Sequence, residues 1–96
     1  MGANSFETTA FGKTANDAFA TAKEQAYYDH GHSGYSGSIA EKDSFIVITL
    51  PEGKNPSDYA SELMEVDDSR IEDKWGPAGC IKIEENKYLF FGWASS

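Results

Sequence analysis

The stretch Gly79-Cys-Ile-Lys-Ile-Glu-Glu-Asn-Lys-Tyr-Leu-Phe-Phe-Gly-Trp-Ala94 decides the fold. It reads as two apolar arms, Gly79 to Glu85 and Tyr88 to Ala94, folding back around Glu85-Asn86-Lys87 as an antiparallel hairpin. Cys80, Ile81 and Ile83 furnish one arm; Tyr88, Leu89, Phe90, Phe91 and Trp93 furnish the other. The second arm is apolar at consecutive positions, so both of its faces are apolar. One face is then available to pair with a second subunit, and a homodimer is one expectation.

Working back from the hairpin, Asp67 to Gly79 is a polar connection holding Trp75, Gly76 and Pro77. Before it, Asn55-Pro56 has the form of a helix start, Asn55 as N-cap and Pro56 at the first helical position. The spacing predicts a helix from Pro56 to Val66, with Tyr59, Ala60, Leu63 and Met64 as its buried stripe. Asp58, Glu62 and Glu65 fall on the opposite face. Phe45-Ile-Val-Ile-Thr-Leu50 is nearly continuous apolar, as in a central strand covered on both faces. Ser38 to Glu41 and Ser44 to Leu50 flank Lys42-Asp43 and read as a hairpin, or as one long bent strand.

Nearer the N-terminus, Thr14-Ala-Asn-Asp17 forms a capping box with Asp in place of the usual Glu. Ala15, Ala18, Phe19, Ala22 and Ala26 follow at helical spacing, and Gly31 stops the helix. The small side chains of that stripe suit close approach to a sheet. Ser5 to Gly12, rich in Phe and Thr, reads as a strand. The order is therefore β-α-ββ-α-ββ. The fold class is α+β: a four- or five-stranded, mostly antiparallel sheet with one or two helices packed on one face, in a single domain over residues 1–96.

Composition excludes several classes of function. The 96 residues are 40% hydrophobic, 14% aromatic and 25% charged, enough apolar content for a core. Sixteen acidic against eight basic residues give a net charge of −8. Direct binding to nucleic acid or to an anionic membrane needs the opposite sign. The longest apolar run, Phe45 to Leu50, is far short of a membrane span. Met1-Gly2-Ala3-Asn4-Ser5 lacks the basic and apolar regions of a signal peptide, and the lone Cys80 has no internal partner. A cytoplasmic setting is the expectation, without cofactors.

The acidity is concentrated. Residues 52–73 carry eight acids (Glu52, Asp58, Glu62, Glu65, Asp67, Asp68, Glu72 and Asp73) and two bases, a net charge of −6. One reading is a docking face for a basic partner protein, its carboxylates standing in for the phosphates of a nucleic acid. A second is a solvated helix face and loop, and a third a cation site at Asp67-Asp68 with Glu72-Asp73. The third lacks the ligand ladder, central Gly and distal Glu of a calcium loop.

The least generic segment is Tyr27-Tyr28-Asp29-His30-Gly31-His32-Ser33-Gly34-Tyr35-Ser36-Gly37-Ser38. Four readings compete for it. Asp29, His30, His32 and Cys80 form an incomplete metal set. The Gly and Ser backbone suggests a phosphate nest, but it follows a helix C-terminus, the wrong polarity. Tyr27, His30, His32 and Tyr35 offer flat polar-aromatic faces for a small molecule, a nucleotide or a partner. The plainest reading is a tight connection from helix to strand. Catalysis finds little support: Ser36 lies in Gly-Tyr-Ser-Gly, one residue short of a nucleophile elbow, and Cys80 reads as a core thiol. The expectation is a protein without enzymatic activity.

Ala26-Tyr-Tyr-Asp-His-Gly-His-Ser-Gly-Tyr-Ser-Gly-Ser-Ile-Ala-Glu-Lys42, about a fifth of the chain, resembles a segment of small uncharacterised acidic proteins of phage and prophage type. The resemblance implies a class, that of short phage-encoded accessory proteins. Some of that class inhibit host nucleic-acid-binding machinery by imitating the charge of DNA. It assigns no residue a role.

Overall fold

The structure is a computed structural model that describes residues 2–31 and 36–96. Strand β1 (Ala3–Phe11) leads into helix α1 (Ala15–His30), and strand β2 (Phe45–Val47) into helix α2 (Pro56–Glu65). Strands β3 (Ala78–Glu84) and β4 (Lys87–Ser95) then form the C-terminal hairpin. The strands lie in the order β1-β4-β3-β2, with β1/β4 and β4/β3 antiparallel and β2/β3 parallel. The α+β class and the mostly antiparallel sheet are as expected.

The capping chemistry sets both helix starts. Thr14 Oγ1 accepts from Asp17 N–H at 3.2 Å, and Asn55 Oδ1 accepts from Ser57 and Asp58 N–H at 2.9 and 3.2 Å. Each cap satisfies donors that the first turn leaves open, worth about 1 kcal/mol. Helix α1 ends at Gly31, whose φ of +79° favours glycine and whose N–H donates to the Tyr27 carbonyl at 2.7 Å.

Both faces of the sheet are covered, so the helices do not share one face. Along β4, Tyr88 and Phe90 point toward α1, where they meet Ala18, Phe19, Ala22 and Ala26. Leu89 and Phe91 point the other way, toward Ala60 and Leu63 of α2, with Ile71 and Ile81. The period-2 alternation of a strand turns the consecutive apolar run into two faces, and each takes a helix. The face expected to be free for a second subunit is therefore buried. On the α1 side the rings of Phe19, Phe45 and Phe90 meet at centroid distances of 5.0–5.7 Å. On the α2 side Gly79 admits the ring of Phe91, which would lie 2.5 Å from any Cβ there.

The segment 38–50 departs furthest from expectation. Ser38–Glu41 is not a hairpin arm: Ile39–Glu41 is a single 3-10 turn, with Ile39 and Ala40 buried against α1. Nor is Phe45–Leu50 a central strand. Only Phe45–Val47 joins the sheet, as its edge, and Val47 is 62% exposed. The reason is topological: α2 carries the chain over to a parallel pairing, and the hairpin strands already hold the sheet's centre.

Candidate partner-binding surface

Helix α2 displays its acids by the same periodicity that buries its apolar stripe. Ala60 and Leu63 are buried, Tyr59 and Met64 half-buried, and Asp58, Glu62 and Glu65 exposed on the far side. The connection that follows is held at several points. Asp68 N–H donates to the Leu63 carbonyl at 3.0 Å, and the Asp68 carbonyl accepts from Ile71 and Glu72 N–H, both at 3.0 Å. Ile71 plugs into the core at 1% exposure. Asp67, at the helix exit, takes a positive φ of 50°.

Lys42 fixes the end of this connection. Its side chain is 1% exposed, and its ammonium donates to the carbonyls of Asp73, Lys74 and Gly76 at 3.3, 3.2 and 2.9 Å. An ammonium has three donors, and all three are used. Desolvation holds its pKa below the usual lysine value, against the opposing pull of the Asp73 carboxylate. By sequence alone Lys42 belongs only to the Lys42-Asp43 turn. Nothing local to Lys42-Asp43 indicates three carbonyls more than thirty positions away.

Both bases of the acidic segment are consumed within it. Lys54 pairs with Glu62 at 3.1 Å, and Arg70 grips Asp68 through Nε and Nη2 at 2.8 Å each. Those side-chain bonds, followed by the Arg70 backbone N–H, hold the Asp68 carboxyl down at about 2, and the Arg70 pKa rises in return. Six further carboxylates stand exposed: Glu52, Asp58, Glu65, Asp67, Glu72 and Asp73. Asp73 also accepts from Trp75 N–H at 2.8 Å, and the Trp75 side chain lies 60% exposed beside the Lys74 ammonium. Glu7 joins the surface from β1, its carboxylate accepting from Ser57 Oγ at 2.9 and 3.0 Å. No sequence signal links residues 7 and 57, because their meeting depends on β1 lying beside β4.

The 27–38 segment divides differently. Tyr27 is half-buried, and its hydroxyl donates to the Ala40 carbonyl at 3.2 Å, so it ties α1 to the 3-10 turn. Ser36 Oγ donates to Glu41 Oε2 at 2.8 Å and lies 2.7 Å from Ser38 Oγ, while Ser36 N–H reaches the same carboxylate at 3.1 Å. That arrangement caps a turn. The His30 side chain, His32 and Tyr35 lie outside what the structure describes. Among the described residues, no three His, Cys, Asp or Glu side chains gather as a metal site. Cys80 is wholly buried on the α1 face, and burial pushes its thiol up to about 11, leaving it unreactive at neutral pH. No helix among the described residues is long and apolar enough to cross a membrane.

No protein family, curated protein or solved structure matches this chain in sequence or fold comparison.

Proposed function

We propose that this chain is a non-enzymatic binding protein whose acidic surface over residues 52–73 engages a basic surface of a partner protein. The partner class that suits such a surface is a nucleic-acid-binding protein, and the mode of action would be that of a phage-type inhibitor imitating the charge of DNA. One observation carries the reading. The two bases of the segment are already paired within it, yet five carboxylates remain exposed on α2 and on the loop pinned by Ile71 and Lys42, with Glu52 exposed just ahead of the helix. Acids spread over solvent for solubility alone need no such fixed backing. Acids meant to match a partner's charges do, because ordering them on binding would cost entropy.

Affinity capture from lysate at low and high salt, with the native chain and the Asp58→Lys/Glu62→Lys/Glu65→Lys variant, tests this. Basic nucleic-acid-binding proteins should be captured by the native chain at low salt, then released by salt and lost with the variant. A captured set indifferent to both changes would end the proposal.

A further inference from the structure

β1 is an outer strand, paired among the described residues with β4 alone. Gly2 and Ser96 exchange both backbone bonds at 3.2 Å, and at the other end Gly12 N–H donates to the Asn86 carbonyl at 3.0 Å. Antiparallel ladders alternate, so the even-numbered residues between them bond to β4. Ser5, Glu7 and Thr9 consequently turn their N–H and C=O groups outward.

A groove flanks this edge on each face of the sheet. Toward α1, a cleft of about 440 Å³ is lined by Phe6, Ala10, Ala22, Ala26 and Ile39, with Asp29 among its polar residues. Toward α2, one of about 540 Å³ brings Met64 and Trp93 together with the carboxylates of Glu7, Glu65 and Asp67. Neither is lined by a Lys or an Arg.

We infer that the β1 edge takes up an extended segment of a partner protein as a fifth strand, one that alternates apolar residues with Lys or Arg. Strand side chains alternate between faces, so the apolar set would enter the α1 cleft while the basic set crosses to the α2 side. Neighbouring strands lie roughly 4.8 Å apart, and a Lys or Arg stem spans that distance along Met64 and Trp93. Its charge then reaches Glu7, Glu65 and Asp67. The edge and its clefts define the place; the carboxylates select the occupant. A second copy of this chain is the poorer fit. Antiparallel self-pairing over all nine residues of β1 sets Glu7 opposite Glu7, and like charges directly opposite are destabilising. The inference deepens the acidic-surface reading and rests on it for the sign of the partner's charge.

The probe is a capped nine-residue peptide alternating Val with Lys, titrated into the full chain and followed by amide NMR and calorimetry. Binding should shift and protect the amides of Ser5, Glu7 and Thr9. N-methylating the peptide amides that face β1 should weaken it about tenfold or more. Replacing Lys by Glu in the peptide, or making Thr9→Pro in the protein, should remove binding. The N-methylated peptide keeps the test decisive if Thr9→Pro fails to fold. No binding by about 1 mM overturns the inference. Binding insensitive to N-methylation, with shifts confined to α2, also overturns it and leaves the acidic-surface reading standing. Binding that needs the edge amides but survives Glu65→Lys/Asp67→Lys removes the charge selection, and with it the acidic-surface reading at this edge.

Discussion

The two edges of the sheet are built on opposite plans. β1 is nine residues long, antiparallel to its neighbour, and flanked by clefts on both faces. β2 is three residues long, parallel to its neighbour, and follows directly on the buried Lys42 that ties down residues 73–76. Proteins usually blunt exposed edges with short strands, charge or cover. This chain shortens β2 and leaves β1 long, with a single carboxylate, Glu7, in its centre. An edge guarded against its own kind yet open to other chains is what a docking strand requires.

Proline parity along β1 probes that difference most severely. Thr8→Pro deletes a ladder donor to β4 and should cost about 3 kcal/mol, whereas Thr9→Pro removes only an outward N–H and should cost under about 1 kcal/mol. Urea unfolding of both variants checks this: a larger loss at Thr9→Pro than at Thr8→Pro would mean that the edge assignment is reversed, and equal losses that neither N–H is free. At the other edge, Lys42→Met keeps the buried stem but leaves three part-buried carbonyls, those of Asp73, Lys74 and Gly76, without their donor. A loss of about 2 kcal/mol is expected, with faster hydrogen exchange at Ala78, whose N–H donates to the Ser44 carbonyl beside β2. Unchanged stability and exchange would show that Lys42 does not secure that edge.

The smallest effect concerns acid. The Asp68 carboxyl titrates near 2 when folded, against 3.8 for the free group. Its contribution is therefore present above pH 4 and lost as pH falls through 2. The pair is solvent-facing, so the loss should stay under about 1 kcal/mol in acid denaturation, and Asp68→Asn should remove that part of the slope.

Much of this architecture was legible because local chemistry wrote it. Thr14, Asn55-Pro56 and Gly31 mark helix ends by hydrogen bonds within a few residues, and the apolar stripes of both helices face the core as their spacing requires. The terminal hairpin was equally plain. What escaped was decided at long range. The run Phe45–Leu50 has the composition of a central strand, but its place was settled by the crossover to β3. The apolar residues on both faces of β4 looked like a spare surface until each met its own helix. The acidic segment could be read as charge, and α2 as its scaffold. The buried Lys42, the Glu7–Ser57 contact and the two clefts beside β1 arise only from strand order, which the residue pattern does not encode. Trp75 is exposed and Trp93 half-buried beside β1, a difference that also follows from strand order.

Cys80 has a practical consequence. Its thiol is wholly enclosed between α1 and the sheet and is hard to ionise, so a thiol reagent meets it only after the layers part. The rate at which the native chain is labelled is then a clock for the opening of its central strands, with no engineered dye or cysteine. A ligand that adds a strand at β1 should slow that clock; one that only coats α2 should leave it running.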